Sequence, residues 1–419
     1  MKRIVVADDL TGASDAGVQF AKRGERTTVR LDAAGPWEES DPADVVVVDL
    51  DSRAETPAVA YARMRAFAAH LPARLLPLVV KKMDSTLRGN LGPELRALLE
   101  ARPAATAIVC PAYPKNRRTV VDGAVYVAGV PLDRTDFARD LFSPVRDARI
   151  AAHLDTDAVL IPLATVLAGT AAIRRAVADA RRAGVRVCIA DAQTDADLSA
   201  VASIAGFEDE LLWVGSAGLI EVLDAGAVAS GGVPGVVLPA TGPVVFLIGS
   251  LSTMTQRQIA AFGAHGVVVV LDPAAVARAD PAVRGALAPA TAAVARGDDV
   301  LVALDGSPAA VSAAVAEAGS TAAFRAASRR LRELFVAAAA PLWQGRPGST
   351  IVLSGGDIAR TFCDAHGIRR LSVLAETAPG IPVSRAMGAD YRLVTKAGGF
   401  GEPGTYREIL STLRRGAIA

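Results

Sequence analysis

The chain has 419 residues, of which 51% are apolar and 21% charged, so it is long enough for two domains with full hydrophobic cores. Its 45 Lys and Arg residues balance its 44 Asp and Glu residues, which argues against nucleic acid or an anionic membrane as the main partner. Three widely separated cysteines without a CxxC pair exclude a disulfide scaffold and a zinc finger. These properties indicate a soluble, cytoplasmic globular protein.

Short apolar runs alternate with longer helical patterns along the chain, which is typical of βα units around a mostly parallel sheet. In the first half, the predicted strands are residues 4–7, 45–48, 78–80, 107–110, 159–161, 185–190 and 211–214. Helical patterns cover residues 57–70 and 93–102. Asp122-Gly123 lies between two β-branched runs and predicts a β-hairpin that projects from the first domain.

No charged residue occurs from Ala225 to Gln256. Glycines and prolines between residues 231 and 243 would break a membrane-spanning helix, so we interpret residues 225–243 as a linker. The strand pattern then resumes at residues 244–248, 267–271, 300–304, 351–353 and 393–394. The sequence therefore predicts two α/β domains with mostly parallel sheets, covering residues 1–230 and 231–419.

Ligands of such sheets bind beyond the carboxyl ends of the strands. The first predicted strand is followed by Asp8 and Asp9, and the third by the segment KKMDSTLRGN at residues 81–90. Arginine can hold a carboxylate through paired hydrogen bonds and aspartate accepts from sugar hydroxyls, so these strand ends favour a small, polar, anionic ligand. Asp and Ser also cap helices, but for the adjacent acids Asp8 and Asp9 we favour a binding role.

The loop after the fourth predicted strand, residues 111–119, combines two prolines with Lys115, Arg117 and Arg118. The prolines make this loop rigid. Its basic side chains fit either an anion site or a solvated basic turn, and the sequence leaves both interpretations open.

Three glycine-containing loops follow strands of the second domain. They are Gly249-Ser250-Leu251-Ser252, Ser354-Gly355-Gly356-Asp357 and Lys396-Ala397-Gly398-Gly399. Glycine lets backbone N–H groups approach phosphate oxygens, and a following helix adds its positive end, so three such loops indicate a nucleotide site. No GxxxxGK[ST] motif occurs, and Gly399-x-Gly401-x-x-Gly404 is a coincidental match because no βαβ unit follows it.

Taken together, these segments resemble the four-carbon acid sugar kinase family. The motifs that carry the resemblance are ADDLTGA at residues 7–13, KMDSTLRGN at 82–90, the loop at 111–118, GSAG at 215–218, SGGD at 354–357 and KAGGFG at 396–401. The resemblance implies an N-terminal domain that binds a sugar acid and a C-terminal domain that binds a nucleotide. It also implies phosphorylation of the terminal hydroxyl of D-threonate or D-erythronate to the 4-phosphate, with ATP and Mg²⁺.

The resemblance further implies roles for individual residues. The catalytic residues would be Asp9, Asp84 and Lys82, with Asp9 favoured as the proton acceptor. The substrate would be bound by Asp8, Arg88, Asn90 and Arg118. The nucleotide would be bound by Ser250, Ser252, Ser354, Gly355, Gly356, Asp357, Ile358, Lys396, Gly398 and Gly399. Asp357 would also be a ligand of the metal ion.

Two positions depart from the family pattern. Arg117 stands where the family usually has glycine, which puts the identity of the acid in doubt. Ile358 follows Asp357 where the family usually has threonine, which removes a hydroxyl near the phosphates.

Several alternatives stay open at this point. The resemblance also allows a 3-oxo-tetronate kinase or a kinase of another small hydroxy acid. Asp49 and Asp51 superficially suit an aspartyl-phosphate phosphatase or mutase, although Arg53 stands where that motif has Thr or Val. A non-catalytic sugar-acid sensor would account for Ile358. A homodimer is expected only because dimers are common among soluble enzymes.

Overall fold

The computed structural model describes residues 3–33, 35, 37, 42–140, 143–204, 210–223, 236–237 and 239–418. The chain divides into two compact units, Met1–Gly232 and Val233–Ala419. Each is an α/β unit with a mostly parallel sheet, as the sequence predicts. The predicted boundary between residues 230 and 231 lies outside the described residues, as does most of the predicted linker.

The first unit is built on one parallel sheet of strand order β2-β3-β1-β4-β11-β5-β10-β9 and a small antiparallel sheet β6-β7-β8. The strands are β1 (Arg3–Ala7), β2 (Thr27–Arg30), β3 (Val45–Asp49), β4 (Val79–Lys82), β5 (Thr106–Cys110), β6 (Arg118–Val121), β7 (Ala124–Val127), β8 (Val130–Pro131), β9 (Val159–Ile161), β10 (Val187–Ala190) and β11 (Leu211–Gly215). The helices are α1 (Leu10–Ala21), α2 (Pro57–His70), α3 (Leu91–Ala101), α4 (Leu163–Leu167), α5 (Thr170–Arg182), α6 (Asp195–Ala202) and α7 (Ala217–Val222).

The central strands of this sheet are buried along their whole length, which explains why they read as continuous apolar runs rather than as alternating patterns. The predicted hairpin is confirmed: Asp122 and Gly123 both have positive φ angles, 49° and 70°, and join β6 to β7. The buried carboxylate of Asp191 accepts the N–H groups of both turn residues, at 3.0 and 2.9 Å. The small sheet is thereby fixed to the main one.

The second unit has the strand order β14-β15-β13-β16-β19-β18-β17, parallel except for the β17–β18 and β18–β19 pairs, and a separate β12–β20 pair. The strands are β12 (Val236–Val237), β13 (Val244–Ile248), β14 (Val267–Leu271), β15 (Val300–Leu304), β16 (Ser349–Ser354), β17 (Arg370–Ala378), β18 (Ile381–Ala386), β19 (Tyr391–Lys396) and β20 (Ala417–Ile418). The helices are α8 (Thr253–Phe262), α9 (Pro273–Ala277), α10 (Ala282–Arg296), α11 (Pro308–Glu317), α12 (Thr321–Ala339), α13 (Gly356–Ala365) and α14 (Thr405–Arg415).

The structure adds strands that the sequence analysis missed, including β2, β17 and β18. β17 alternates buried with partly buried residues, so it lacks the continuous apolar run used to find the other strands. β4 is also shifted, to Val79–Lys82, which places Lys81 and Lys82 inside a strand rather than after it. Although lysine is charged, both side chains are buried, because the fold provides them with polar partners.

Within the described part of the chain, no helix has both the length and the apolar character needed to cross a bilayer.

Candidate functional site

β1 ends at Ala7, and the next two residues, Asp8 and Asp9, are buried. Asp9 is the N-cap of α1, because its Oδ1 accepts the Gly12 N–H at 2.8 Å. Arg53 lies beyond the end of β3, the parallel neighbour of β1. Its guanidinium donates to Asp8 at 2.7 and 3.0 Å and to Asp9 at 2.7 Å. One arginine therefore joins both acids, and the capping and binding interpretations of Asp9 are compatible.

The charges of this cluster stabilise one another. Burial by itself would raise the pKa of Asp8, but the positive charges of Arg53 and Lys81 outweigh it and lower that pKa. Burial likewise opposes the charge on Arg53, yet Asp8, Asp9 and Asp84 hold the pKa of its guanidinium well above the ordinary value. Asp8 and Arg53 are therefore both ionised at neutral pH.

Asp84 follows β4, on the other side of β1, and faces the same edge of the sheet. Its Oδ2 accepts from Arg88 Nε at 2.7 Å and from Thr86 Oγ1 at 2.5 Å. Although burial opposes ionisation, Arg88 and Arg53 hold the pKa of Asp84 well below its usual range. The predicted residues Asp8, Asp9 and Asp84 are thus brought together around Arg53.

A second basic pair lies next to Asp84. Arg118 donates from Nη1 to Ser85 Oγ at 3.1 Å. The Phe137 ring lies 5.4 Å from the guanidinium carbon of Arg88 and 5.9 Å from that of Arg118, so it contacts both cations. Asp140 lies 3.8 Å from Arg88. The hairpin and the segment after it therefore complete this basic part of the site.

Arg117 adopts a left-handed backbone conformation, with φ of 56° and ψ of 33°. Glycine adopts this conformation without the steric cost that a Cβ brings, which gives a physical reason for the glycine that the family usually has here. The departure at Arg117 therefore falls at a strained turn directly before Arg118.

The two remaining predicted residues of this unit contact backbone carbonyls. Lys82 is buried and donates to Met83 O at 3.0 Å, and a Cβ placed at Gly12 would lie 3.2 Å from its Nζ and 3.6 Å from Arg53 Nη2. Lys82 therefore belongs to the Asp8–Arg53 cluster. Asn90 donates to Ser52 O at 2.9 Å and so supports the turn that carries Arg53.

Sequence reasoning did not select Arg53 as a site residue. The signal that was available is its position just after a strand end, where ligands of parallel sheets bind. Asp49, the nucleophile of the phosphatase alternative, is 1% exposed, and its Oδ1 accepts the Asp51 N–H at 2.9 Å. Asp49 is therefore the buried last residue of β3, and its carboxylate supports the turn that follows.

In the second unit, the three glycine loops follow β13, β16 and β19, which are neighbours in the sheet. Ser250 Oγ and Ser252 Oγ each lie 2.8 Å from Thr255 Oγ1. Thr255 in turn donates to Gly398 O at 2.8 Å. The first and third loops are thus joined through hydroxyl groups.

The second loop supplies the start of α13. Gly355 has a φ of 116°, which suits glycine, and its N–H donates to Lys396 O at 2.8 Å. Ser354 is buried and its Oγ accepts from Tyr406 OH at 2.8 Å. Gly356 begins a ten-residue helix whose first N–H groups have no partner within the helix and can meet an anion.

Asp357 and Ile358, the next residues of α13, differ in exposure. The Asp357 side chain is 42% exposed and lies 3.4 Å from Arg332. Ile358 is 1% exposed and packs on the first loop, since a Cβ at Gly249 would lie 2.8 Å from the Ile358 Cβ. Ile358 therefore supports the loops by packing. Among the described residues, no group of three or more His, Cys, Asp or Glu side chains is placed to hold a metal ion.

Lys396 is the last residue of β19 rather than part of the loop, and it is fully buried. Its Nζ donates to Ala397 O at 3.0 Å and to Gly398 O at 2.8 Å, and lies 5.3 Å from the centre of the Tyr406 ring. Burial lowers the pKa of Lys396 from 10.5 to about 7. The Lys396 amino group therefore holds the third loop from beneath.

The Lys396 pKa predicts a pH dependence of stability. Between about pH 7 and 10.5 the unfolded chain binds a proton at Lys396 that the folded chain has lost, so this residue makes the free energy of unfolding rise with pH. We expect the unfolding free energy of the wild type, minus that of Lys396→Met, to rise by up to about 1.4 kcal/mol per pH unit over this range. Urea unfolding from pH 7 to 10 measures it. Lys115→Met, at an exposed lysine, is the control, and parallel Lys396→Met and wild-type curves would contradict the prediction.

Comparison with known proteins also divides the chain into two parts, one in each of the two compact units. Residues 3–223 match the family of sugar-binding N-terminal domains, and residues 245–405 match the family of nucleotide-binding C-terminal domains. The chain is 35% identical over 418 residues to D-threonate kinase from Cupriavidus necator, covering 96% of this chain and 95% of that protein.

Two further relatives have related activities. A D-erythronate kinase from Heliobacterium modesticaldum is 39% identical over 205 residues, covering 48% of this chain and 47% of the relative. A 3-oxo-tetronate kinase from Cupriavidus necator is 32% identical over 425 residues, covering 97% and 96%. With full-length similarity and both domains matched, the chain belongs to the four-carbon acid sugar kinase family.

Proposed function

We propose that this protein transfers the γ-phosphoryl group of ATP to the terminal hydroxyl of D-threonate or D-erythronate and so forms the 4-phosphate. The observation that carries the proposal is the cluster of Asp8, Asp9 and Asp84 with Arg53 and Arg88 at one edge of the first sheet. In such a cluster the aspartates can accept hydrogen bonds from substrate hydroxyls, and the arginines can donate to a substrate carboxylate. A small polyhydroxy acid requires both. The full-length similarity to D-threonate kinase supports the same assignment.

The acid is bound by the basic part of the site. Arg88 and Arg118 receive the substrate carboxylate, with Lys82 adding positive charge. Burial lowers the pKa of Arg118, so its charge is costly in the free protein, and a bound carboxylate would relieve that cost. Asp8 accepts from the substrate hydroxyls, and Asn90 keeps the Arg53 turn in place.

Asp9 orients the reacting hydroxyl. The hydroxyl oxygen forms a bond to the γ-phosphorus while the bond from that phosphorus to the β,γ-bridging oxygen breaks, and the hydroxyl proton passes to the Asp9 carboxylate. Arg53 and the Gly12 N–H hold the Asp9 carboxyl group in one orientation through hydrogen bonds to its two oxygens. A fixed orientation suits phosphoryl transfer, which depends on positioning and charge neutralisation. Asp84 holds Arg88 in place for the same substrate.

The three glycine loops bind ATP. Backbone N–H groups of Gly356, Gly398 and Gly399 receive phosphate oxygens, since these glycines lie at the carboxyl ends of β16 and β19. Gly355, whose own N–H donates to Lys396 O, shapes the turn that leads into α13. The hydroxyls of Ser250 and Ser252 complete the polar lining, and the buried Ser354, which accepts from Tyr406, supports the second loop from within. Lys396 supports the third loop from beneath through its hydrogen bonds to Ala397 O and Gly398 O, and Ile358 contributes packing.

Mg²⁺ accompanies ATP in this proposal. Its preference for phosphate oxygens and retained water, with one or two carboxylates, fits a site where the residues that the structure describes form no cluster of acids placed to hold a metal ion. Asp357 is the carboxylate that would hold it, because it is partly exposed at the start of α13 beside the glycine loop. When bound, Mg²⁺ neutralises charge on the phosphates. A cytoplasmic location and a homodimer remain predictions.

The test is coupled measurement of ADP release with D-threonate, D-erythronate, their L-forms and 3-oxo-tetronate as separate substrates, with mass spectrometry of the product. We expect acid-dependent ADP release with D-threonate or D-erythronate. Preference for 3-oxo-tetronate would select the second candidate, which the similarity to 3-oxo-tetronate kinase supports. No acid-dependent release from any of these acids would contradict the kinase assignment.

A further inference from the structure

A cluster of buried polar residues that the proposed reaction does not use lies beside Asp8. Lys81 and Glu94 are each 1% exposed, and Lys81 Nζ lies 2.8 Å from Glu94 Oε2. Ser52, which is fully buried, donates its hydroxyl to the other oxygen of Glu94. Both carboxylate oxygens of Glu94 therefore have a donor, one from β4 and one from the turn after β3.

The same turn carries Arg53. The backbone N–H groups of Ser52 and Arg53 donate to Asp8 O at 2.9 and 3.1 Å. The preceding residue, Asp51, has a left-handed φ of 49°, a costly conformation for a non-glycine residue that the surrounding contacts must maintain. The turn is thus held from one side by Asp8 and from the other by Glu94.

A buried ion pair is poorly explained by stability alone. Moving Lys81 and Glu94 out of water is costly, and well-packed apolar residues of similar volume often serve a core equally well. What apolar residues could not supply is the acceptor for the Ser52 hydroxyl. The charged pair therefore orients a specific side chain, because Glu94 fixes the hydroxyl of Ser52, the residue next to Arg53.

We propose that Glu94 is a positioning residue which, through Ser52, sets where the Arg53 guanidinium meets Asp8 and Asp9. Lys81 balances the charge of Glu94 and donates to Lys82 O at 2.6 Å, so the same pair also fixes the end of β4. The inference rests on the proposed function, because it concerns how the sugar-acid site is shaped. The proposal predicts no effect on ATP binding, which involves other loops.

Ser52→Ala is the sharpest test, because it removes the hydroxyl link and leaves the Lys81–Glu94 pair intact. We expect the KM for the acid to rise about tenfold, the effect of one hydrogen bond to a charged group, with the KM for ATP unchanged. Ser328→Ala, at a buried serine of α12, is the matched control and should leave both KM values unchanged. Urea unfolding of each variant checks that the fold is retained.

A double-mutant cycle with Arg53→Lys separates positioning from a purely structural role. If Ser52 acts through Arg53, Ser52→Ala should change kcat/KM for the acid by less than about twofold in the Arg53→Lys background. Additive losses, or an equal rise in the KM for ATP, would overturn the inference. An inactive wild type would instead contradict the proposed function, so the two failures are distinguishable.

Discussion

Replacing Arg53 with alanine is expected to lower kcat/KM for the sugar acid by about a thousandfold. This factor corresponds to the free energy that is lost when a buried charge loses its partner. The substitution leaves two buried carboxylates, Asp8 and Asp9, without the guanidinium that joins them. Their mutual repulsion then favours protonation or displacement of one acid, and either change removes a hydroxyl acceptor from the site. Steady-state kinetics with D-threonate measures the loss.

The same variant should be less stable. Removing one partner from a buried charge network costs about 3–5 kcal/mol, so the free energy of unfolding should fall by an amount of that order. Arg53→Lys keeps the positive charge without the paired donors, and we expect it to recover stability more fully than activity. The matched control is Arg26→Ala, which removes an exposed arginine that also pairs with an aspartate. Equal kcat/KM for Arg53→Ala and wild type would place the substrate elsewhere.

Arg53 also shows where sequence reasoning reached its limit. Asp8 and Asp9 could be selected from sequence because two acids directly after a buried apolar strand are chemically unusual. The contact of Arg53 with these acids could not be predicted, because it depends on β3 pairing with β1 in the register that places Asp49 beside Ala7. Strand order is a property of the whole sheet, and a local pattern does not contain it.

The two adjacent lysines of β4 illustrate a second limit. Successive side chains of a strand point to opposite faces, so Lys81 meets Glu94 while Lys82 lies near Gly12. Sequence analysis placed both after the strand, because buried lysines are rare and a strand was expected to be apolar. Glu94, thirteen positions along the chain on α3, gives no sign in the sequence of its pairing with Lys81.

The nucleotide loops were found from glycine content, but their mutual contact was not. The Asp122-Gly123 hairpin was predictable because two-residue turns have local residue requirements. By contrast, the link from Ser250 through Thr255 to Gly398 joins segments about 140 residues apart and follows from the β13-β16-β19 strand order. That link makes the third loop sensitive to a single added methyl group.

Gly398→Ala is expected to weaken binding of a non-hydrolysable ATP analogue by roughly 10- to 100-fold. A Cβ at this position would lie 2.3 Å from Ser250 Oγ and 2.7 Å from Ser250 Cβ, so one of the two loops must move. Moving the Ser250 side chain away is costly, because its hydroxyl is hydrogen-bonded to the buried Thr255. The backbone N–H groups at the end of β19 would therefore lose their alignment with phosphate.

The neighbouring glycine offers a graded comparison. A Cβ at Gly399 would lie 3.6 Å from Ser252 Oγ, an ordinary van der Waals distance, and neither glycine has a positive φ. Gly399→Ala should therefore weaken ATP binding less than Gly398→Ala does. Gly285→Ala, in α10 with open space around it, should leave binding unchanged.

Calorimetry with the ATP analogue and, separately, with D-threonate resolves the two sites. Because the added methyl group collides with Ser250 of the second unit, Gly398→Ala should bind D-threonate as the wild type does. Unchanged affinity for the ATP analogue in Gly398→Ala would show that the third loop does not contact the nucleotide. The phosphates would then have to be bound away from the carboxyl end of β19.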